Sequence, residues 1–184
     1  MKRFEREKIR NVGLFGHGGD GKTSLAEAML FLSGITTRLG RVDEGNSLLD
    51  YEPEEINRRI SINASCAHYE WDKHYVTLID TPGDANFIFE AKSSMHVVEG
   101  GIIVIGANSG VKVQTEAMWR QANDLGLPRI VFLSKMDMER ARFIDTLQDI
   151  QENLEGMKVI PLQLPIGEEK DFRGVIDLIS RRAY

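Results

Sequence analysis

The stretch GHGGDGKTS, Gly16 to Ser24, decides the fold. It satisfies G-x-x-x-x-G-K-T and lies between two periodic runs. Ile9 to Phe15 before it is suited to a buried strand. After it, Leu25, Ala28, Met29 and Leu32 fall on one helix face that Gly34 stops. Strand, glycine-rich turn and helix in that order predict a phosphate site. The glycines let successive N–H groups turn inward on phosphate oxygens, which places Gly16, His17, Gly18, Gly19, Asp20, Gly21 and Ser24 around them. Lys22 supplies a point charge to the terminal phosphates, and Thr23 offers a hydroxyl to a magnesium ion. A ligand-free glycine turn is the plain alternative, and the Lys-Thr pair at a strand-to-helix junction weighs against it.

The rest of the chain alternates in the same way. Residues 62–70 and 75–80 read as strands around the Asp72-Lys73-His74 turn, an antiparallel hairpin. Ile102 to Ala107 and Ile130 to Leu133 read as buried strands. A helix from Gln114 to Leu125 is closed by Gly126-Leu127-Pro128, and Phe143, Leu147, Ile150 and Leu154 line another that ends at Gly156. The fold class predicted is α/β: a mostly parallel sheet with one antiparallel hairpin and helices on both faces. The tail from Pro161 is mixed.

Composition excludes several classes. A chain of 184 residues with 42% hydrophobic content can bury one core. A net charge of -5 argues against holding nucleic acid by bulk phosphate neutralisation, so DNA is not an expected partner. A single Cys66 permits no internal disulfide and fits a reducing compartment. The opening MKRFEREKIR is charged, and the most apolar window, GGIIVIGA, is too short to span a bilayer, so a cytoplasmic protein with no membrane segment is expected. His68 and His74 lack a zinc spacing, Met118 and Trp119 read as packing residues, and Arg58 and Arg59 sit in a polar loop.

Two further motifs name the nucleotide. In VTLIDTPGD an apolar run stops on Asp80, and a Thr-Pro-Gly turn leads to Asp84; alone this is ordinary turn chemistry. Farther on, the strand ending at Leu133 runs into Ser134-Lys135-Met136-Asp137. The Asp137 carboxylate can accept two hydrogens from guanine, whereas adenine offers no matching pair of donors, and Lys135 can lie along the base plane. Phosphate loop, D-x-x-G and S-K-M-D in this order predict a P-loop NTPase of the GTPase type, with GTP or GDP and Mg2+ as ligands.

The chain resembles the translational GTPases, closest to the elongation factor G family and its elongation factor G-like members. The resemblance lies in GRVDEGNSLLDYEPEEINRRISI, in the run from DTPGDANF to VVEGGIIVIGANSGV, in VQTEAMWRQA, and in PLQLPIGEEKDFRGVIDLISRRAY. It implies a nucleotide-dependent switch that docks on the ribosome near the sarcin-ricin loop of its RNA. By the same resemblance Ser61 stands where a threonine usually closes on magnesium, Asp80 holds magnesium through a water, and the Gly83 amide senses the terminal phosphate. Arg58 and Arg59 then fall in the switch, within reach of phosphate or RNA.

Departures from the family pattern bear on catalysis. Asp84 takes the catalytic place of a histidine that orients the attacking water, and as a carboxylate it repels phosphate; it also reads as the cap of a helix over 85–99. Gly18 replaces an apolar residue facing Ile60, Gly19 an aspartate that helps hold a monovalent cation, and Ser134 an asparagine that braces the guanine motif. The family's fifth nucleotide motif is absent, so residues 1–160 are expected to be an incomplete GTP-binding core and 161–184 the start of an inserted subdomain. Three functions compete: a slow translational GTPase, a non-hydrolysing GTP-dependent ribosome-binding module, and a small-molecule P-loop kinase. The kinase leaves S-K-M-D unexplained.

Overall fold

The computed structural model describes residues 4–156 and 158–184. Strand β1 (Ile9–Phe15) leads through the glycine-rich turn into helix α1 (Lys22–Leu32), as the flanking periodicity predicts. Helix α2 (Pro53–Arg58) interrupts a long loop, and β2 (Ser65–Trp71) and β3 (His74–Asp80) form the expected hairpin. Asp72 and Lys73 both take positive φ, 43° and 62°, the two-residue turn whose twist suits paired strands. Then come α3 (Ile88–Ser94), β4 (Gly100–Gly106), α4 (Val113–Asp124), β5 (Arg129–Ser134) and α5 (Phe143–Asn153).

The five strands form one sheet in the order β2-β3-β1-β4-β5, with β2 antiparallel and the others parallel. Side chains alternate across it. Phe15, Ile103 and Ile105 meet α3, α4 and α5 through Ala91, Met95, Met118, Trp119, Ala122, Ile150 and Leu154. Leu14, Leu78, Ile102 and Val104 meet α1 through Ala26 and Leu30 on the opposite face. The sheet is thus covered by helices on both faces, and β4, in contact with both cores, is the continuous apolar run the sequence shows.

Three expectations need correction. The inward face of α1 is Thr23, Ala26, Glu27 and Leu30, not the row ending at Leu32, which is 71% exposed. The phosphate loop fixes Lys22 and Thr23 inward, and the 3.6-residue repeat then carries the polar Glu27 inside. The helix expected over 85–99 is a 3-10 turn, Ala85–Phe87, followed by the short α3. Strand β5 is buried on one face only: Ile130 and Phe132 are 54% and 40% exposed, because β5 ends the sheet beyond the reach of α1.

The tail makes a second, antiparallel sheet of β6 (Gln163–Ile166), β7 (Gly174–Asp177) and β8 (Arg182–Ala183). Phe172, between β6 and β7, packs toward the small cluster of Ala107, Met136 and Ala141. Trp119 is a packing residue as expected, buried with Nε1 donating to the Glu155 carbonyl at 2.8 Å; His68 stacks on Tyr75, and Cys66 is exposed.

Two buried glutamates organise the loop between α1 and β2. Glu27 Oε1 accepts from Ser47 Oγ at 2.6 Å and from the Leu48 and Leu49 amides at 2.6 and 3.2 Å. Glu55 Oε1 accepts from the Ile62 and Asn63 amides at 2.9 and 3.0 Å, which is why β2 begins only at Ser65. Arg58 pairs with Glu54, and Arg59 donates to the Asp43 carbonyl, both within the loop and both exposed. Glu27→Ala removes the acceptor of three donors, of which the Leu49 amide is buried, so it should cost about 2–4 kcal/mol in urea unfolding. Limited proteolysis should then cut first between residues 40 and 64; an unchanged cutting pattern would contradict this role for Glu27.

Candidate nucleotide-binding site

Parallel pairing delivers the ends of β1, β3, β4 and β5 to one edge of the sheet. Leu14 stands opposite Asp80, Phe15 opposite Ile103, and Gly106 opposite Ser134. Thr81 Oγ1 donates to the Leu14 carbonyl at 2.6 Å, tying the turn after β3 to the strand that carries the phosphate loop. Within that loop Gly16, Gly19 and Gly21 take φ of 137°, 78° and 90°, a backbone that favours glycine. At Gly16 a Cβ would also overlap the Val104 carbonyl. Lys22 is buried, and its Nζ donates to the carbonyls of Gly16 and His17 at 3.0 and 2.8 Å. Burial holds both the Lys22 ammonium and the His17 imidazole below their ordinary pKa values.

Beside Lys22 lies a cluster of oxygens. Thr23 Oγ1 and Ser61 Oγ are 3.1 Å apart, so the hydroxyl residue of the 35–64 loop reaches the first turn of α1 as the resemblance implies. Asp80 is buried, with Oδ1 unpartnered among the described residues. Asp50 Oδ2 is buried and unpartnered too, and its carboxyl is hydrogen-bonded by Ser61. Burial pushes the Asp80 carboxyl up to about 7, with the nearby Asp50 charge adding to the rise and Thr23 and Lys22 opposing it. Two carboxylates with spare oxygens and two hydroxyls suit a hard, oxygen-seeking cation such as Mg2+. Asp50 is the residue the sequence reading misses. It lies within GRVDEGNSLLDYEPEEINRRISI, but only the fold turns it toward Ser61.

After β3, Gly83 rests on the phosphate loop. Its carbonyl accepts from the Gly18 amide at 2.9 Å, and a side chain on Gly83 would overlap Lys22 Nζ. A Cβ on Gly18 would stand 3.5 Å from the Gly83 carbonyl, so Gly18 abuts the D-x-x-G turn. Asp84 Oδ1 accepts from both the backbone amide and the side-chain amide of Asn86, each at 2.8 Å; it is the cap of the turn Ala85–Phe87. Gln114, whose Oε1 is buried and unpartnered among the described residues, shares a narrow crevice with Gly83 and Asp84.

The S-K-M-D residues sit at the end of β5. Ser134 Oγ donates to the Asp20 carbonyl at 2.6 Å and contacts the Ile105 carbonyl at 3.3 Å, so serine keeps a brace between this motif and the phosphate loop. Ser134 Cβ stands 3.7 Å from the Cβ position at Gly21. Met136 is buried, Lys135 takes φ 59°, and Asp137 is exposed at the rim. The Asp20 side chain is withdrawn from solvent altogether and pairs with Lys112, a partner the sequence does not indicate.

Asp80 provides a pH test. Its carboxyl moves from 3.8 to about 7 on folding, so the folded chain binds the proton more tightly than the unfolded chain. Without Mg2+ or nucleotide, stability should therefore fall as pH rises from about 4 to about 7 and level off above that. Asp80→Asn should flatten that slope in thermal melts, and an identical slope in the variant would show that another group is responsible.

Among the described residues no helix is long and apolar enough to cross a membrane, and no group of three or more His, Cys, Asp or Glu is placed to hold a metal. The model of the elongation factor Tu GTP binding domain matches residues 7–178. A crystal structure from Thermus thermophilus is similar at a TM-score of 0.90 and 36% identity over 96% of this chain, which spans 26% of the length of that one. The matched residues include the phosphate loop, D-x-x-G and S-K-M-D. The chain belongs to the elongation factor Tu GTP-binding domain family, and it is the GTP-binding domain of a translational GTPase.

Proposed function

We propose that this domain serves an elongation factor G-like, ribosome-associated protein of the cytoplasm that hydrolyses GTP slowly. Residues 1–160 are then a GTP-binding core lacking the fifth nucleotide motif, and 161–184 begin an inserted subdomain. The separate tail sheet and the open face of β5 support that division. The backbone of Gly16 to Ser24 and the Lys22 ammonium hold the phosphates, with the Gly83 amide turning to the terminal one. Ser134, Lys135 and Asp137 hold guanine. Thr23 and Ser61 would hold Mg2+ directly, with Asp80 and Asp50 acting through water. When bound, the ion neutralises charge on the phosphates.

The observation that carries slow hydrolysis is the state of Asp84. Its Oδ1 is taken up by the two Asn86 amides, which turns the side chain to capping, and its carboxylate beside Gly83 would add negative charge where the terminal phosphate is sensed. Hydrolysis then depends on the sarcin-ricin region of ribosomal RNA to order what Asp84 does not. The same capping role also favours the second reading, a non-hydrolysing ribosome-binding module.

Two measurements test these readings. In the full-length parent, Asp137→Asn should weaken GDP and strengthen xanthosine diphosphate binding, because an amide reverses the base edge it complements. Calorimetry showing unchanged GDP affinity rules out the guanine assignment. Asp84→His should speed ribosome-stimulated phosphate release, since one positioned polar group is worth about two to four powers of ten in rate. Asp84→Asn keeps the cap while removing the charge, so it should give a smaller gain. If wild type is already fast and Asp84→His slows it, Asp84 takes part in the chemistry and the slow reading is lost.

A further inference from the structure

Asp20 is the one acidic residue inside the phosphate loop, and it is 0% exposed. Its Oδ1 lies 2.6 Å from Lys112 Nζ, and Lys112 is 28% exposed. Oδ2 is buried without a partner among the described residues. The carboxyl lies against Gly106 at the end of β4, where a Cβ would stand 3.0 Å from Asn108 Oδ1 and Ser109 Oγ and 3.3 Å from Asp20 Oδ1. A lone carboxylate here would sit within a cradle built for an anion.

The lysine reaches it from a fixed base. Lys112 precedes α4, and its carbonyl accepts from the Glu116 amide at 3.0 Å. The neighbouring Val111 amide donates to Asp149 Oδ2, on α5, at 2.6 Å. Asp20 is therefore held twice, by its carbonyl from Ser134 on β5 and by its carboxyl from Lys112 before α4. The Lys112 charge is also felt at His17 and Lys22, in the body of the loop.

We propose that Lys112 is a positioning residue for nucleotide binding: through Asp20 it neutralises and fixes the phosphate loop, coupling that loop to α4 and α5. The role rests on the phosphate-site reading. Lys112 acts on the bound phosphates only through Asp20 and through the positive potential it adds. Removing the lysine alone leaves a buried negative charge beside the phosphates. Removing both charges leaves none, so affinity tracks the unpaired carboxylate rather than the lost contact.

The test is titration and stopped-flow release of a fluorescent GDP, with thermal melts of the nucleotide-free protein alongside. Lys112→Met should weaken binding about tenfold, mostly through faster release, because a buried charge loses its partner. Adding Asp20→Asn should recover most of that loss, and Lys112→Arg should stay within about threefold of wild type. If Lys112→Met fails to fold, Lys112→Gln is read in its place. Binding by Lys112→Met equal to wild type overturns the proposal, and so does a double variant as weak as the single one. A loss that simply follows the melting temperature across all variants marks a structural ion pair and overturns it too. Lys22→Ala, measured in parallel, should abolish binding. Wild-type affinity in that variant, or no binding by wild type, removes the phosphate-site reading itself and the Lys112 role with it.

Discussion

Parallel pairing of β3, β1, β4 and β5 is the constraint on which the site depends. In a parallel sheet every strand must leave by the same edge, so the loops that follow these four strands are neighbours without any direct selection for contact. The phosphate loop, the D-x-x-G turn, the Asn108–Lys112 segment and S-K-M-D all follow from that geometry. Side chains then refine it: Thr81 ties the β3 exit to β1, and Ser134 ties the β5 exit to Asp20.

Burial of charge sets the chemistry along that edge. Lys22, Asp80, Asp50, Asp20, Glu27 and Glu55 are all withdrawn from water, although charged side chains rarely are. Each is held by hydrogen bonds or by an opposite charge, except where an oxygen is left over. The leftover oxygens of Asp80 and Asp50 fall beside Thr23 and Ser61, and on that spare acceptor capacity rests the proposal that the cluster takes a cation.

Local pattern made the sheet and the three motifs legible in the sequence, because apolar periodicity and glycine spacing are both read over a few residues. The hairpin, β4, α4 and α5 follow from such windows. The contribution of partners distant in sequence was not legible. Glu27 looks like a solvated helix residue until the loop of Ser47 to Leu49 folds over it, and Asp50 is unremarkable until Ser61 arrives. Asp84 reads from the sequence both as a catalytic position and as a cap, and its bonds to Asn86 show the cap. The open face of β5 is not legible in the sequence because an apolar strand reads alike whether one side or both are covered.

The join between Asp20 and Lys112 also constrains how this sequence can change over generations. Ninety-two positions separate the two residues, yet neither is free to lose its charge by itself. Losing the lysine strands a buried negative charge, and losing the aspartate leaves the ammonium without its carboxylate. Changes of charge at either position should therefore be matched at the other, so apart from lysine-to-arginine exchange the two positions should vary together among descendants of this chain.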